Sequence, residues 1–535
     1  MRLNVFLACV LSVLTTSAVA AATRQNDLRV VALSGEKIPG DPDHEIGVMQ
    51  SWVLNEQGHV AFSSVVQDHA VVFSESSTGE LGAVATNKAS NLSFMSDGRL
   101  VFSGARTEEK QQKEIVLRLD DTSFTTLAGP PAAAWDSDGF AIPGWSQRRA
   151  ALWAANPAGP YLVNALVANE SGGPSNFVTY AGVDDSLRLL IHHGGQAPGT
   201  PAGTNFTSSS AFTLPRINSS GAVVIGSKLE GGDTKEALND TGIWLSDAGQ
   251  LDLLYRQGDL IPGDAAGKRF GPLPTNFLSG ISLNDMGDVA FTSGVLNNPN
   301  ANVVFVRRES QLERVAEAYQ IAPGTSSALF NNQDFRSLAI NAAGHVAFSG
   351  GAFGGDADLP RSTGIWAETS DGDVELIAID GQRAPGTDDG TFDVFGVQFQ
   401  FNARNQVAFA ADYWVDAEPR HGVFAFDVDH ELKPILLPGD EVSIGVGDIR
   451  VVSRADFLSR TGGNQDGLAS SFNESGQLLL RAEFTDGSFG MLVSNHVAVP
   501  EPVGISMLTI ILMATAGRQT IASSAKFAAT VISSP

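Results

Sequence analysis

The residues able to do chemistry are few and scattered. Nine histidines are spread along 535 residues, and only His192 and His193 stand side by side. Neighbouring residues of a strand point to opposite faces, so that pair does not read as a joint metal site. His59 and His345 occupy the same repeat position, the one after a turn glycine, where Asp288 and Gln406 stand in other copies. A position open to any polar type reads as a solvated strand edge. Carboxylates gather at Asp136 and Asp138, at Asp356 and Asp358, and at Asp371 and Asp373. Calcium would use such oxygens, but none of these clusters extends to a twelve-residue loop closed by Glu. Asp and Gly are also what exposed turns use. The expectation is no metal site and no cofactor, with calcium as the one alternative. Trp135, Trp145 and Trp153 crowd one stretch. They read as packing between sheets, with a sugar-stacking platform as the alternative. No His-Glu-x-x-His, no Gly-x-Ser-x-Gly and no phosphate-binding glycine loop occurs, so no catalytic residue is assigned.

The composition narrows the class. With 59 acidic against 34 basic side chains, the formal charge is −25, which argues against a nucleic-acid partner, since that needs clustered Lys and Arg. A hydrophobic share of 43% is that of a globular chain. The 56 Gly, and 30 Phe against 5 Tyr, point to many short strands joined by tight turns.

Self-similarity supplies those turns. Asn55, Gly58, Ala61 and Phe62 recur as Asn284, Gly287, Ala290 and Phe291, and again as Asn341, Gly344, Ala347 and Phe348. A variant runs Asn402, Asn405, Ala408, Phe409. Weaker copies start at Asn156, at Asn218 with Gly221 and at Asn473 with Gly476, while Met95 to Gly98 keeps only the glycine. Asn favours the first position of a type I turn, where its side chain bonds the backbone two residues on. The fourth residue is Gly in seven copies and Asn405 in the eighth, the two types that best tolerate a left-handed backbone. A type I turn followed by a left-handed residue is a common hairpin connection. The Val-Ala-Phe that follows reads as a strand whose Phe packs one face.

Each turn sits in a longer unit. A Pro-Gly turn precedes it at Pro39, Pro198, Pro262, Pro323 and Pro385, and Asp41, Asp264 and Asp440 following such turns read as turn residues. Bulky third strands follow at Ile243-Trp244, Val304-Phe305, Ile365-Trp366 and Val423-Phe424, and then fourth strands such as Leu251 to Leu254. The copies begin at 55, 95, 156, 218, 284, 341, 402 and 473, so the spacings are 40, 61, 62, 66, 57, 61 and 71. Four strands per unit of this size predict an all-β propeller of about eight blades, or seven if the short unit at Met95 forms none. The last unit stops after its third strand, and residues 28–33 resemble the missing fourth. The N-terminal strand is therefore expected to close the last blade.

The ends carry addresses. Arg2, an apolar run over 5–14 and Ala18-Val19-Ala20 read as a signal peptide spanning 1–22, which contains the single cysteine, Cys9. At the other end Pro500-Glu501-Pro502 precedes an apolar run over 503–516 and then Arg518. That run is too short for a comfortable spanning helix and reads as a segment entering the membrane at least transiently.

The chain resembles exported bacterial proteins built from tandem NxxGxxAF repeats, over roughly residues 28–494. Its C-terminus is similar to the PEP-CTERM sorting signal, although a single Arg518 and a tail over 519–535 depart from that pattern. The resemblance implies recognition by exosortase-type sorting machinery and a Gram-negative, cell-envelope or extracellular location. It implies four regions: signal peptide 1–22, repeat domain 23–496, sorting segment 497–518 and tail. It brings no assigned catalytic residue. The expected role is a structural or interaction module whose partner is extracellular polysaccharide or a surface protein. The alternative is a carbohydrate-binding or carbohydrate-active propeller with its site at the central channel mouth.

Overall fold

The computed structural model describes residues 27–497, apart from 67–68, 87–88, 96–97, 106–113, 121–122, 129–132, 136–140, 170–174, 184–185, 208–214, 248–249, 274–279, 332–334, 356–358 and 458–460. The signal peptide, Pro500, Glu501, Pro502, Arg518 and the tail lie outside these residues, as do Asp136, Asp138, Asp356, Asp358 and the side chains of Trp135 and Trp145. No helix among the described residues is long and apolar enough to cross a membrane.

The fold is a β-propeller. Among the described residues the strands form eight sheets of four or five strands and one two-stranded ribbon. Blade 1 runs from Met49–Leu54 to Leu81–Thr86, blade 2 from Ala89–Phe94 to Ser123–Ala128, and blade 3 from Ala141–Ala155 to Ser186–His192. Blade 4 runs from Arg216–Ile217 to Gln250–Arg256, blade 5 from Ile281–Leu283 to Gln311–Glu317, and blade 6 from Leu338–Ile340 to Val374–Ile379. Blade 7 spans Thr391–Phe401 to Leu432–Leu436, and blade 8 holds Asp448–Phe457, Leu478–Phe484 and Phe489–Ser494. First strands of successive blades pack against one another from blade 1 to blade 7, the first strand of blade 8 packs on the second and third strands of blade 7, and blade 8 packs on blade 1.

The N-terminal strand closes that ring. Leu28–Leu33 pairs antiparallel with Phe489–Ser494, Leu28 opposite Ser494 and Leu33 opposite Gly490. The seam is fastened like an internal one. Arg29 grips Glu75 at 2.5 Å and donates to the Gly58 carbonyl at 2.8 Å, while Glu75 accepts from Val60 N. Between blades 5 and 6, Arg308 pairs with Glu368 and donates to the Gly344 carbonyl, and Glu368 accepts from Val346 N.

The Phe of each repeat turns inward. Phe62, Phe291, Phe348 and Phe409 are fully buried, as are the alanines before them. Phe62 stacks on Phe73 with centroids 4.7 Å apart, and Phe291 on Phe305 at 5.5 Å. The Pro-Gly turns bring a second layer onto this core. Gly199 and Gly324 take φ of 74° and 76°, the sign a type II turn requires. Trp244 and Trp366 each donate Nε1 to the carbonyl of the turn proline, Pro198 and Pro323, at 3.0 Å. Phe206 and Phe330 then meet these indoles edge to face at 5.0 Å.

The uneven repeat spacings have structural causes. Blade 2 keeps all four strands, but only two residues part its first strand from the last strand of blade 1. Its spacing of 40 reflects a missing Pro-Gly connection, not a missing strand. The spacing of 71 reflects an insertion in blade 8.

Candidate functional site

The recurrent asparagines line one end of the central channel. In each described turn the Asn side-chain oxygen accepts the backbone N–H two residues on, and in most also the one four residues on, as Asn341 does from Ala343 and His345 at 3.0 Å. The fourth-position residue is left-handed throughout, from Gly58 at φ 80° to Asn405 at φ 60°. The side-chain amide then reaches the next blade. Asn218 Nδ2 donates to the Asn284 carbonyl, Asn284 to Asn341, Asn341 to Asn402, Asn402 to Asn473 and Asn473 to Asn55, all at 2.9–3.2 Å. One residue type thus builds the turn and ties it to its neighbour.

Here one sequence expectation is corrected. The residue after the turn glycine is not a solvated edge: Asp288 and Gln406 are buried. Asp288 and Gln406 each accept from the Asn of their own turn, and Gln406 also donates to the Val497 carbonyl at 2.8 Å. His345 Nδ1 lies 2.9 Å from Asn405 Oδ1 in the next turn. The position is polar because it faces other turn amides, not because it faces water.

The channel end inside this ring is filled by the protein itself. In blade 6 the first strand runs unbroken to its turn, with Leu338 opposite Phe348 and Ile340 opposite Val346. In blade 8 the equivalent positions are Phe457, opposite Leu480, and Phe472, opposite Leu478; Ser471 still accepts from Leu479 N, and thirteen residues, 458–470, stand in the sequence between Phe457 and Ser471. The described part, 461–470, tours the inner strands. Phe401 N of blade 7 donates to the Gly462 carbonyl at 3.1 Å. A Cβ on Gly463 would run into the Ile340 carbonyl of blade 6. Asp285 N of blade 5 donates to Gln465 Oε1 at 2.9 Å. Ile217 N of blade 4 donates to the Asp466 carbonyl, Ala155 N of blade 3 to that of Gly467, and Leu54 N of blade 1 to that of Ser470. The innermost strand of a propeller blade shows unpaired N–H groups to the channel, and the insertion pairs these.

At its centre Asp466 Oδ2 lies 3.4 Å from Arg216 Nε, both side chains almost wholly buried. Burial pushes the Asp466 carboxyl up, and Arg216 opposes that. Beside the insertion, Glu474 is also raised, to about 7, by burial first and then by the nearby Glu56 carboxylate. Glu474 accepts from Ala403 N at 2.5 Å, and its own N–H donates to Glu56 Oε2 at 2.9 Å.

A second cluster lies at the other end of the strands, in an open groove of about 610 Å³ between blades 7 and 8. Pairing across blade 7 sets two rows on one face: Asp393, Asp412 and His421, and beside them Thr391, Trp414 and Pro419. Trp414 is 40% exposed, whereas Trp52, Trp244 and Trp366 are buried. Its Nε1 donates to Asp393 Oδ2 at 2.5 Å. His421 stands between two carboxylates, Nδ1 2.6 Å from Asp412 and Nε2 3.2 Å from Asp456 of blade 8. Burial opposes a charge on His421, but these bonds outweigh it and raise its pKa. Burial likewise opposes ionisation of Asp456, and His421, Arg454 and Arg481 hold it well below the usual carboxylate range. The result is an exposed indole flanked by acceptors and fixed donors.

None of the groove residues stood out in the sequence. Length gave no signal either, since the strand that carries Asp412 and Trp414, Val407–Val415, is as long as Val223–Gly231 of blade 4 and Val346–Gly354 of blade 6. The residues that did stand out act otherwise. Asp264 caps its turn by accepting from Ala266 N and Lys268 N, and Asp440 does so from Leu437 N. His192 and His193 are not brought to any other histidine or carboxylate among the described contacts, and among the described residues no three His, Cys, Asp or Glu side chains are placed so that they could hold a metal ion.

Comparison with known proteins adds a family. Solved structures resemble the chain only at low similarity. A puromycin-hydrolysing peptidase of Mycobacterium tuberculosis is 11% identical with a TM-score of 0.35, over 78% of this chain and 54% of its own. An acylaminoacyl peptidase of Pyrococcus horikoshii is 10% identical at 0.37, over 72% and 52%. An ulvan-degrading polysaccharide lyase is 9% identical at 0.35, over 88% and 96%. This chain spans about half the length of the two peptidases. No curated protein matches. Residues 155–295 and 275–506, more than half of the sequence, match one family, and the chain is thus a member of the DUF7453 family, a family of unknown function.

Proposed function

We propose that this propeller is exported to the cell envelope and serves there as a structural or interaction module, with extracellular polysaccharide as its partner. The observation that carries this reading is the filled channel end. Propellers that act on a ligand commonly gather loops of several blades around the channel. Here residues 461–470 occupy that space and satisfy the inner strands. A module built this way is stiff, and offers its partners the outer grooves. A net charge of −25 keeps it soluble and away from anionic surfaces. Export rests on the signal peptide over 1–22, and envelope retention on Pro500-Glu501-Pro502 with Arg518.

The carbohydrate-binding alternative is favoured by one feature, the exposed Trp414 between carboxylates, and it moves from the channel mouth to the groove. The test is to fractionate Gram-negative cells making the full chain and to blot each fraction. The expected result is a shortened protein in the envelope or medium that co-sediments with extracellular polysaccharide. Full-length protein confined to the cytoplasm would sink the reading.

A further inference from the structure

We propose that the groove between blades 7 and 8 binds a neutral saccharide, one sugar ring stacked on Trp414 and its hydroxyls held by Asp412 and Arg454. The inference rests on the polysaccharide reading above and names its site. Three observations converge.

The first is a prepared aromatic surface. Trp414 is 40% exposed, and its Nε1 is held by Asp393 at 2.5 Å. The indole is therefore fixed in place while part of it faces solvent. A large exposed aromatic with one end anchored is a contact platform whose ordering cost is already met in the free protein.

The second is the mixture of partners around it. Asp412 is 58% exposed on its side chain and Arg454 49%, so both project into the groove. A ligand of one charge would face both signs at once. A polyol has what the mixture asks for, because every hydroxyl both donates and accepts. Carboxylate acceptors and guanidinium donors give charge-assisted bonds to such groups without demanding a charge in return.

The third is rigidity. Asp456 is bound by His421 at 3.2 Å, by Arg454 through both carboxylate oxygens at 3.0–3.2 Å and by Arg481 at 2.9 Å. Arg481 in turn lies over the Trp52 ring at 5.2 Å and donates to the Met49 carbonyl. The donors of blade 8 are thus braced against blade 1, and the acceptors of blade 7 against its own sheet.

The experiment titrates the full-length exported chain with cellohexaose, mannohexaose, xylohexaose, hexagalacturonate and hexalysine, following heat and tryptophan fluorescence. Saturable binding of a neutral hexaose is expected. It should weaken at least tenfold in Trp414→Ala and at least threefold in Asp412→Asn, the variant in which folding is least at risk. Hexagalacturonate should bind more weakly than the best neutral sugar. If the hexaose binds both variants as it binds the parent, the groove is not the site, although the polysaccharide reading stands. If no sugar binds the folded parent, both fall. Trp414-dependent binding of hexalysine alone would assign the groove to a basic peptide and overturn the saccharide.

Discussion

The filled channel end and the open groove each centre on an aspartate of the blade 8 segment facing arginine, and they use it in opposite ways. Asp466 meets Arg216 with both side chains out of reach of water. Asp456 meets Arg454 and Arg481 at the edge of a cleft, where Arg454 stays half exposed. In the first case charge and backbone donors are spent on closing the ring. In the second the network holds a surface in shape and leaves polar groups facing solvent. The difference shows where a repeat protein can carry a ligand site: not where its repeats converge, if that space is sealed, but in a cleft between two neighbouring blades.

The sharpest way to break this comparison is Asp466→Ala. Removing one partner leaves a buried guanidinium without its counter-charge, which costs about 3–5 kcal/mol. The expected result is a large fall in the denaturant midpoint, and partial recovery when Arg216→Leu is combined with Asp466→Leu. An unchanged midpoint would make the insertion a loop that merely rests in the channel. Asn341→Ala comes next. It strands the Asn402 carbonyl and the N–H groups of Ala343 and His345. A loss of about 2–3 kcal/mol is expected for buried groups left unpaired, again read from the midpoint. A loss no greater than at an exposed Asn would show that the ring of asparagines is a by-product of the turns.

Much of this architecture was legible in the sequence, and the reason is local. A left-handed backbone after a type I turn leaves few residue choices, so Gly58 and Asn405 declare the same geometry. The closing strand was legible because a propeller cannot leave one blade a strand short. What Asn does beyond its turn was not legible: the link from Asn341 to the Asn402 carbonyl spans 61 residues, and nothing local to either residue demands it. The same holds for Asp288 and Gln406, whose burial depends on the neighbouring blade. The insertion had a trace in the longest repeat spacing, 71. Its path inward could not be read from residues as plain as Gly, Ser and Asn. The groove was least legible, because Trp414 and Asp456 belong to different blades and only packing brings them together.

A pH series separates the two regions further. Glu474 lies beside the insertion with its pKa raised to about 7 from an ordinary 4.5, chiefly by burial. A carboxyl raised in the folded state holds its proton more tightly there than in the unfolded chain. Its contribution to stability is complete below about pH 4.5 and is lost as pH rises through 7. Glu474→Gln keeps an acceptor for Ala403 N and removes the charge. The variant should match the parent at pH 4.5 and exceed it by about 1–2 kcal/mol at pH 8, since each pKa unit is worth about 1.4 kcal/mol and this group is partly screened. Thermal melts at the two pH values check it. Parallel curves for parent and variant would mean the carboxyl is no more protonated in the fold than outside it.

The smallest expected effect on stability is the one that most sharpens the contrast. Asp412→Asn alters a side chain that is 58% exposed and 2.6 Å from His421. Asn still presents an oxygen to Nδ1, and Asp456 still holds Nε2. An ion pair this open contributes little to folding, so the midpoint should move by no more than about 0.5 kcal/mol. Were Asp412 part of a structural lock like Asp466, the same substitution would cost several times that, and the groove would have to be read as a second seam of the ring. A stable variant with weakened sugar binding is what a surface kept for a ligand predicts, because there the carboxylate serves the hydroxyl it faces and not the blades behind it.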